Sequence, residues 1–187
     1  MKNHKACIIG AGSSGITTAR MLQKNNIQFD WYEMSDNIGG NWYYKNPNGM
    51  SSCYQSLHID TSKTILQFDE FPLPDNAPDY LHHSDIYEYL NQYVDYCNLR
   101  ECITFNTEVV NAELTEEKIW RVELKEGETH YFDMLFVCNG HHWSPRWPTP
   151  KFDGQFDGIE IHSHQYLTPF EPHDLRDKNV VVVGVGN

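Results

Sequence analysis

The 187-residue sequence predicts an α/β fold, in which a parallel β-sheet is accompanied by helices and by a small antiparallel β-meander. Three observations predict this fold. A short apolar strand, an amphipathic helix and a second strand follow one another within about 30 residues, the size of a βαβ unit. A second helical pattern follows a long loop-rich stretch. Three strand-like runs then come in close succession, and the middle one leaves one face polar, as in a meander.

The first unit carries the clearest local signals. Residues 5–10 (KACIIG) form a β-branched run closed by a glycine, which is typical of a buried parallel strand. Residues 13–24 place apolar side chains at helical spacing, with Ser13 or Ser14 expected as the N-cap. Residues 27–33 (IQFDWYE) return to the composition of a strand.

The remaining elements follow in order along the chain. Residues 35–79 are rich in glycine and proline and are predicted to be mostly loop. Residues 84–99 form a second amphipathic helix, with Ser84 or Asp85 as its expected cap. Strands are predicted over residues 103–114, 118–125 and 129–137, and a proline-rich connection over residues 143–150.

The charge and hydropathy of the chain exclude two classes of partner. The chain carries 14 Lys and Arg against 26 Asp and Glu, so its formal net charge is −12. Nucleic acid is excluded because phosphate contacts require clustered Lys and Arg. Membrane spanning is excluded because the apolar runs at residues 7–9 and 180–183 fall far short of the ~20 residues required. A signal peptide is also excluded, since glycines interrupt the apolar run after Lys5.

The cysteines and histidines exclude further kinds of chemistry. The five cysteines are an odd number without a CxxC pair, which predicts reduced thiols and a cytoplasmic location, and disfavours disulfide exchange. Ten histidines are present, but no cluster of them has the spacing of metal ligands. The sequence therefore predicts no metal site.

The strongest chemical signal is a GxGxxG motif that follows a predicted strand and opens a predicted helix. It reads Gly10, Ala11, Gly12, Ser13, Ser14, Gly15. The first glycine permits a tight turn, the second lets a pyrophosphate approach the backbone, and the third lets helix and strand pack closely. The helix N-terminus supplies N–H donors for the anion. The motif predicts a Rossmann-like FAD/NAD(P)-binding fold.

The residues after this motif indicate which dinucleotide binds. Glu33 ends the second strand, where it can accept hydrogen bonds from a ribose diol, and its carboxylate would repel the 2′-phosphate of NADP. Gly39, Gly40, Asn41 and Trp42 follow at a spacing that resembles the FAD-binding group of two-dinucleotide oxidoreductases. The strand that leads to Asn139 and Gly140 resembles the element with which those folds return to the flavin. On its own, it would indicate only a buried strand that ends in a turn.

A family resemblance rests on the order of several motifs. Residues 156–166 fit FxGxxxHxxxY, the signature of flavin-containing monooxygenases, with His162 and Tyr166 at its last two fixed positions. The GAGSSG, GGNW, DTSK (60–63) and DEFPLP (69–74) segments resemble the same family in the same order. Baeyer–Villiger monooxygenases have a similar signature that ends in Trp, so Tyr166 favours the first group.

The resemblance implies an FAD- and NADPH-dependent monooxygenase whose partners are a small-molecule substrate and O2. In that family NADPH reduces the FAD, and a C4a-hydroperoxide of the flavin then oxygenates an amine nitrogen or a sulfide sulfur. Two alternatives remain: a Baeyer–Villiger enzyme that acts on ketones, and a flavin-binding fragment without catalysis. Homo-oligomerisation is left open.

The resemblance also implies roles for individual residues. Residues 10–15 would hold the pyrophosphate and Glu33 the ribose; Gly40, Asn41 and Trp42 would pass along the flavin, and Asp60, Thr61 and Ser62 would lie near its ring. Asp60 is the candidate catalytic residue, because it lies in the segment expected near the flavin ring and departs from the Asn that many members of the family have there. We expect a buried Asp60 that is either protonated and a donor, or paired with Lys63 or another cation to help position NADPH. The plain alternative is a solvated Asp60 without a role. His162 and Tyr166 are expected either to fix a linker or to act in catalysis.

The same resemblance divides the chain into three parts. Residues 1–150 would be the first part of an FAD-binding domain, and residues 151–178 a linker that carries the signature. Residues 179–187 (NVVVVGVGN) would form a four-valine strand and the start of a truncated NADPH-binding domain, with Gly184 and Gly186 opening its site. We therefore expect a fragment of a longer enzyme that is inactive on its own.

Overall fold

The computed structural model describes residues 4–184 and contains a four-stranded parallel sheet. The predicted βαβ unit is present as β1 (Lys5–Ile9), α1 (Ser13–Lys24) and β2 (Gln28–Tyr32). Two short strands complete this sheet: β3 (Ile103–Thr104) and β7 (Met134–Val137). The strand order is β3-β2-β1-β7, and every neighbouring pair is parallel. The predicted α/β class is confirmed.

A second, antiparallel sheet follows the order β4-β5-β6. Its strands are β4 (Val109–Leu114), β5 (Trp120–Leu124) and β6 (Thr129–Phe132). It packs a separate small core around Val122, Leu124 and Phe132 together with Cys7 and Tyr32 of the parallel sheet. The predicted meander is therefore present and rests on the parallel sheet through side chains of both.

Two predicted strands were wrong in extent, because each divides between the two sheets. The strand predicted over residues 103–114 breaks near Asn106, whose φ of 53° lies in the left-handed region that extended backbone excludes. The strand predicted over residues 129–137 breaks at Asp133, which exchanges hydrogen bonds with the backbone of Lys5. The chain thus leaves one sheet and enters the other within a few residues at both places.

The main core lies between the parallel sheet and two helices. Helix α3 (His83–Tyr96) buries Ile86, Leu90 and Val94 along one face, and α1 buries Ile16, Ala19 and Leu22 against the sheet. The region of residues 35–79 is mainly loop, as predicted, but it includes the one-turn helix α2 (Lys63–Leu66) and a 3-10 turn at Gly40–Trp42. This region covers the core between α1 and α3.

The predicted helix caps were wrong in both helices. Gly12 is the N-cap of α1, without a side-chain hydrogen bond, in place of Ser13 or Ser14. His82 is the N-cap of α3, and its ring accepts from the backbone N–H of Ser84. In both cases the cap lies one or two residues before the expected serine.

The chain beyond β7 is mostly irregular and exposed as far as it is described. Its regular element there is a 3-10 turn at Ser163–Gln165. The strand predicted from residue 179 is absent from residues 179–184, and Val181 and Val182 are 85% and 84% exposed. A β-strand requires a backbone partner, and these valines have none among the described residues.

Candidate functional site

The candidate site is built on the glycine-rich turn that joins β1 to α1. Gly10 has φ of 97°, and a Cβ there would lie 2.6 Å from the carbonyl oxygen of Cys138. A Cβ at Gly15 would lie 2.0 Å from the carbonyl oxygen of Gly10. Both positions therefore require glycine for packing, since β1, β7 and the start of α1 leave no room for a side chain.

Gly12 differs from these two glycines because the fold leaves space beside it. Its φ is −79°, and the nearest atom to a Cβ built there is the Cα of Gly40 at 3.6 Å, an ordinary contact distance. Ser13 and Ser14 are exposed, and no side chain caps the helix. The first-turn N–H groups of α1 therefore face open space, where an anion could bind them.

Glu33 lies directly beside this turn. The residue is 7% exposed, and its carboxylate accepts from the backbone N–H of Ala11 at 2.6 Å and of Ser35 at 2.7 Å. Two N–H donors compensate the buried negative charge, although no cationic side chain bonds to it in the described structure. Each carboxylate oxygen keeps a second lone pair for a ligand hydroxyl.

The second glycine pair packs against the first motif. The N–H of Gly39 donates to the carbonyl of Ala11 at 2.9 Å, and a Cβ on Gly40 would lie 3.1 Å from the Cα of Gly12. Asn41 holds the next loop, because its side-chain oxygen accepts from both the N–H and the hydroxyl of Ser52. Trp42 is half-buried against the main core. The structure thus brings the GxGxxG and GGNW segments together.

The segment after β7 closes the other side of the turn. Cys138 donates its N–H to the carbonyl of Ile9, and the Cα of Asn139 lies near Gly10. Burial raises the pKa of the Cys138 thiol, which Thr18 partly offsets, so the sulfur beside the turn is a neutral thiol at neutral pH. Asn139 and Gly140 are themselves exposed.

Asp60, Thr61 and Ser62 lie on a different segment. Residues 59–63 pair with residues 79–81 through backbone hydrogen bonds from Ile59 to Leu81 and from Lys63 to Asp79. Asp60 is exposed, which contradicts the burial expected for it. The ammonium group of Lys63 donates to the carbonyls of Asp75 and Ala77.

The signature residues His162 and Tyr166 make local contacts. His162 caps the 3-10 turn by accepting from the N–H of His164, while the side chain of Gln165 accepts from the N–H of His162. The ring of Tyr166 lies 5.8 Å from that of Tyr54, and the carbonyl of the adjacent Leu167 accepts from the N–H of Gln55. These contacts favour the linker-fixing interpretation of His162 and Tyr166.

Two other predicted ligand residues lie near the end of the chain. Gly184 is exposed and lies in no regular element. Gly186 lies outside the described residues. Within residues 4–184 no helix is long and apolar enough to cross a bilayer, and no three His, Cys, Asp or Glu side chains are grouped as metal ligands.

Comparisons with known proteins give the chain a family. The model of the family described as "Flavin-binding monooxygenase-like" matches residues 3–187. Flavin-containing monooxygenase 5 of Rattus norvegicus is 34% identical over 198 residues, covering 100% of this chain and 37% of its own length. Dimethylaniline monooxygenase (N-oxide-forming) 2 of Oryctolagus cuniculus is 32% identical over 194 residues, covering 98% and 36%. The chain thus spans just over a third of these relatives.

Solved structures with the same fold include an S-oxygenase and a monooxygenase. S-allyl-L-cysteine S-oxygenase from Allium sativum superposes with a TM-score of 0.75 at 27% identity, over 89% of this chain and 43% of that one. Cyclohexanone monooxygenase from Rhodococcus sp. Phi1, bound to NADP+, gives a TM-score of 0.63 at 27% identity, over 73% and 26%.

Proposed function

The chain belongs to the flavin-binding monooxygenase-like family, and from that premise we propose that it forms the FAD-binding part of an FAD- and NADPH-dependent monooxygenase. The observation that carries the proposal is Gly12. The fold could accommodate a side chain there, so glycine at this position is explained by a ligand that must approach the backbone. The uncapped N-terminus of α1 beside it suits the negative charge of a pyrophosphate.

The residues present fit the ADP half of FAD. In this proposal the backbone of residues 10–15 binds the pyrophosphate, and Glu33 accepts from the ribose hydroxyls. Gly40, Asn41 and Trp42 pass along the flavin, with Asn139 and Gly140 on the opposite side of the turn. When bound, the flavin supplies the redox chemistry and the activation of O2; the protein supplies orientation and excludes water.

We propose the same division of the chain that the sequence predicts. Residues 1–150 are the first part of the FAD-binding domain, residues 151–178 the linker, and residues 179–187 the start of the NADPH-binding domain, where Gly184 and Gly186 open the second site. The contacts of His162 and Tyr166 support the linker assignment. The five cysteines, all free thiols, are consistent with a cytoplasmic location.

For the substrate we propose a soft nucleophile, an amine nitrogen or a sulfide sulfur. The names of the N-oxide-forming relative and of the S-oxygenase support it, as does Tyr166 at the end of the signature. The likeness to cyclohexanone monooxygenase supports the second candidate, Baeyer–Villiger oxidation of a ketone. Product analysis of a full-length enzyme with a thioether and with a cyclic ketone separates the two.

Asp60 is retained as a proposed active-site residue. An unchanged release of hydrogen peroxide across pH in the Asp60→Asn variant of a full-length enzyme would contradict this role.

The test of the site is Gly12→Val. The added side chain should occupy the position of the pyrophosphate and abolish FAD binding, measured by flavin content after purification and by calorimetric titration. Ala112→Val, in β4 of the meander, is the control for added volume and should bind FAD as the unmodified protein does. A folded Gly12→Val protein with full flavin content would contradict the proposal.

A further inference from the structure

Trp31 makes a buried contact with the glycine-rich turn. The sequence did not predict this contact. The side chain is 0% exposed, and its indole Nε1 donates to the carbonyl oxygen of Gly10 at 2.9 Å. The same nitrogen lies 3.3 Å from where a Cβ on Gly15 would be. The indole therefore fills the space under the turn, between β1 and the first residues of α1.

The peptide unit that Trp31 holds is held at its other end by Glu33. This unit joins Gly10 to Ala11: its carbonyl accepts from Trp31, and its N–H donates to the carboxylate of Glu33 at 2.6 Å. Trp31 and Glu33 are two residues apart in extended chain, so their side chains point to the same face of the sheet. Trp31 in β2 and Glu33 directly after it thereby fix both polar groups of a single peptide unit.

Fixing the orientation of this peptide unit matters because its first residue is a glycine. Gly10 has φ of 97° and no side chain to restrict its ψ, so sterics alone leave more than one orientation to the Gly10–Ala11 peptide. Reversing that peptide would break both hydrogen bonds and would turn the carbonyl oxygen of Gly10 toward the carboxylate of Glu33, which would repel it. The N–H groups that follow this peptide in the turn would be displaced with it, away from a bound anion.

We propose that Trp31 is a positioning residue for the ADP half of the bound dinucleotide. It acts through Gly10, together with Glu33, and holds the turn in the orientation that presents its N–H groups to the pyrophosphate. This inference rests on the proposed function, because it assumes that the turn binds a dinucleotide. It adds a residue outside the GxGxxG motif whose contribution comes from one indole N–H.

The test is Trp31→Phe, which keeps a buried aromatic ring and removes the donor. ADP and FAD are titrated separately into the 187-residue chain by calorimetry, because ADP carries the part of the ligand that the turn would bind. We expect both dissociation constants to rise by a similar factor, about three- to tenfold, the value of one hydrogen bond. Trp120→Phe, in β5 of the meander, removes an indole N–H away from the turn and should leave both constants unchanged.

A double-mutant cycle distinguishes positioning from general stabilisation. Trp31 and Glu33 hold the same peptide, so the effects of Trp31→Phe and Glu33→Gln on ADP affinity should be non-additive, whereas Trp120→Phe and Glu33→Gln should add. A lower melting temperature of Trp31→Phe with unchanged dissociation constants well below that temperature would show a merely structural role and overturn the inference.

An NMR measurement on the unmodified protein avoids any dependence on the variant's folding. The indole N–H resonance of Trp31 should be protected from solvent exchange and should shift on addition of ADP, while that of the exposed Trp147 should not. An exchange rate equal to that of Trp147, or no shift at saturating ADP, would overturn the inference.

The binding measurements distinguish failure of the inference from failure of the proposed function. If the unmodified chain binds neither ADP nor FAD, the proposed function itself fails. If it binds both and Trp31→Phe binds them equally well, only the role of Trp31 fails.

Discussion

Gly12 and Gly15 lie three positions apart in one motif, and the structure explains the glycine at each position by a different physical cause. Gly15 is required by packing, because a methyl group there would overlap the carbonyl oxygen of Gly10 at 2.0 Å. At Gly12 the nearest atom is an ordinary 3.6 Å away, so folding makes no such demand. The requirement of the fold can therefore be separated from the requirement of the ligand by single substitutions.

We expect Gly15→Ala to lower the free energy of unfolding by about 1–3 kcal/mol or more, the usual cost of forcing atoms into a packed interior. Gly12→Ala should change that free energy by less than about 1 kcal/mol, since its φ of −79° suits alanine. Urea unfolding of both variants, followed by circular dichroism without ligand, checks this. Equal destabilisation by the two substitutions would contradict the assignment of separate roles.

Among the elements, those that local patterns define were predicted well. The β1-α1-β2 unit and α3 lie within a few residues of their predicted bounds, because apolar spacing and the glycine motif specify them directly. The division of residues 103–114 and 129–137 between two sheets was not predicted. It depends on which strand pairs with which, and on single residues such as Asn106 and Asp133.

The candidate site shows the same limit. The motif spacing predicted that residues 10–15 and Glu33 would lie together, and the structure places them together. The exposure of Asp60 and the indole bond of Trp31 could not be predicted, because both follow from the path of distant segments. A resemblance assigns a position in a motif, whereas burial and contacts depend on the whole chain.

Glu70, on the loop between α1 and α3, bonds to side chains of both helices. Its carboxylate accepts from Arg20 at 2.8 and 2.7 Å and from the hydroxyl of Tyr93 at 2.7 Å, and it pairs with Lys24 at 2.8 Å. The hydrogen bonds from Arg20, Lys24 and Tyr93 hold the pKa of Glu70 well below its usual range. Because the carboxylate is partly exposed, solvent reduces the stabilisation to about 1 kcal/mol.

Glu70→Gln should therefore lower the free energy of unfolding by about 1 kcal/mol at pH 7. A lowered folded-state pKa stabilises the protein above the unfolded value of about 4.3, and that stabilisation is lost as the pH falls toward the folded value. The difference in the free energy of unfolding between Glu70→Gln and the unmodified protein should accordingly become smaller below about pH 5. Urea midpoints across pH measure it. Glu128→Gln, at an exposed carboxylate beside His130, is the control; a gap for Glu70→Gln that is constant with pH would contradict the ion-pair account.

At the scale of the molecule, the two ends of the described chain differ in how completely they are packed. Residues 5–137 form two sheets with their own cores, whereas residues 139–160 are exposed throughout. The valines at 180–183 are 57–85% exposed, and among residues 4–184 no sheet or helix accompanies them as a dinucleotide site requires. The proposed first cofactor site is thus structurally defined here, and the proposed second one is not.

This difference predicts that the 187-residue chain binds the ADP half of FAD but does not oxidise NADPH. A hydride donor needs its own binding site against the flavin, and Gly184 lies in no regular element from which such a site could be built. We expect no NADPH-dependent oxygen uptake by the purified chain with added FAD, followed by an oxygen electrode and by NADPH absorbance. The Gly12→Val protein gives the background, because it should lack flavin altogether. Uptake above that background would show that residues 1–187 already contain a working NADPH site, and would overturn the proposed division of the chain at residue 179.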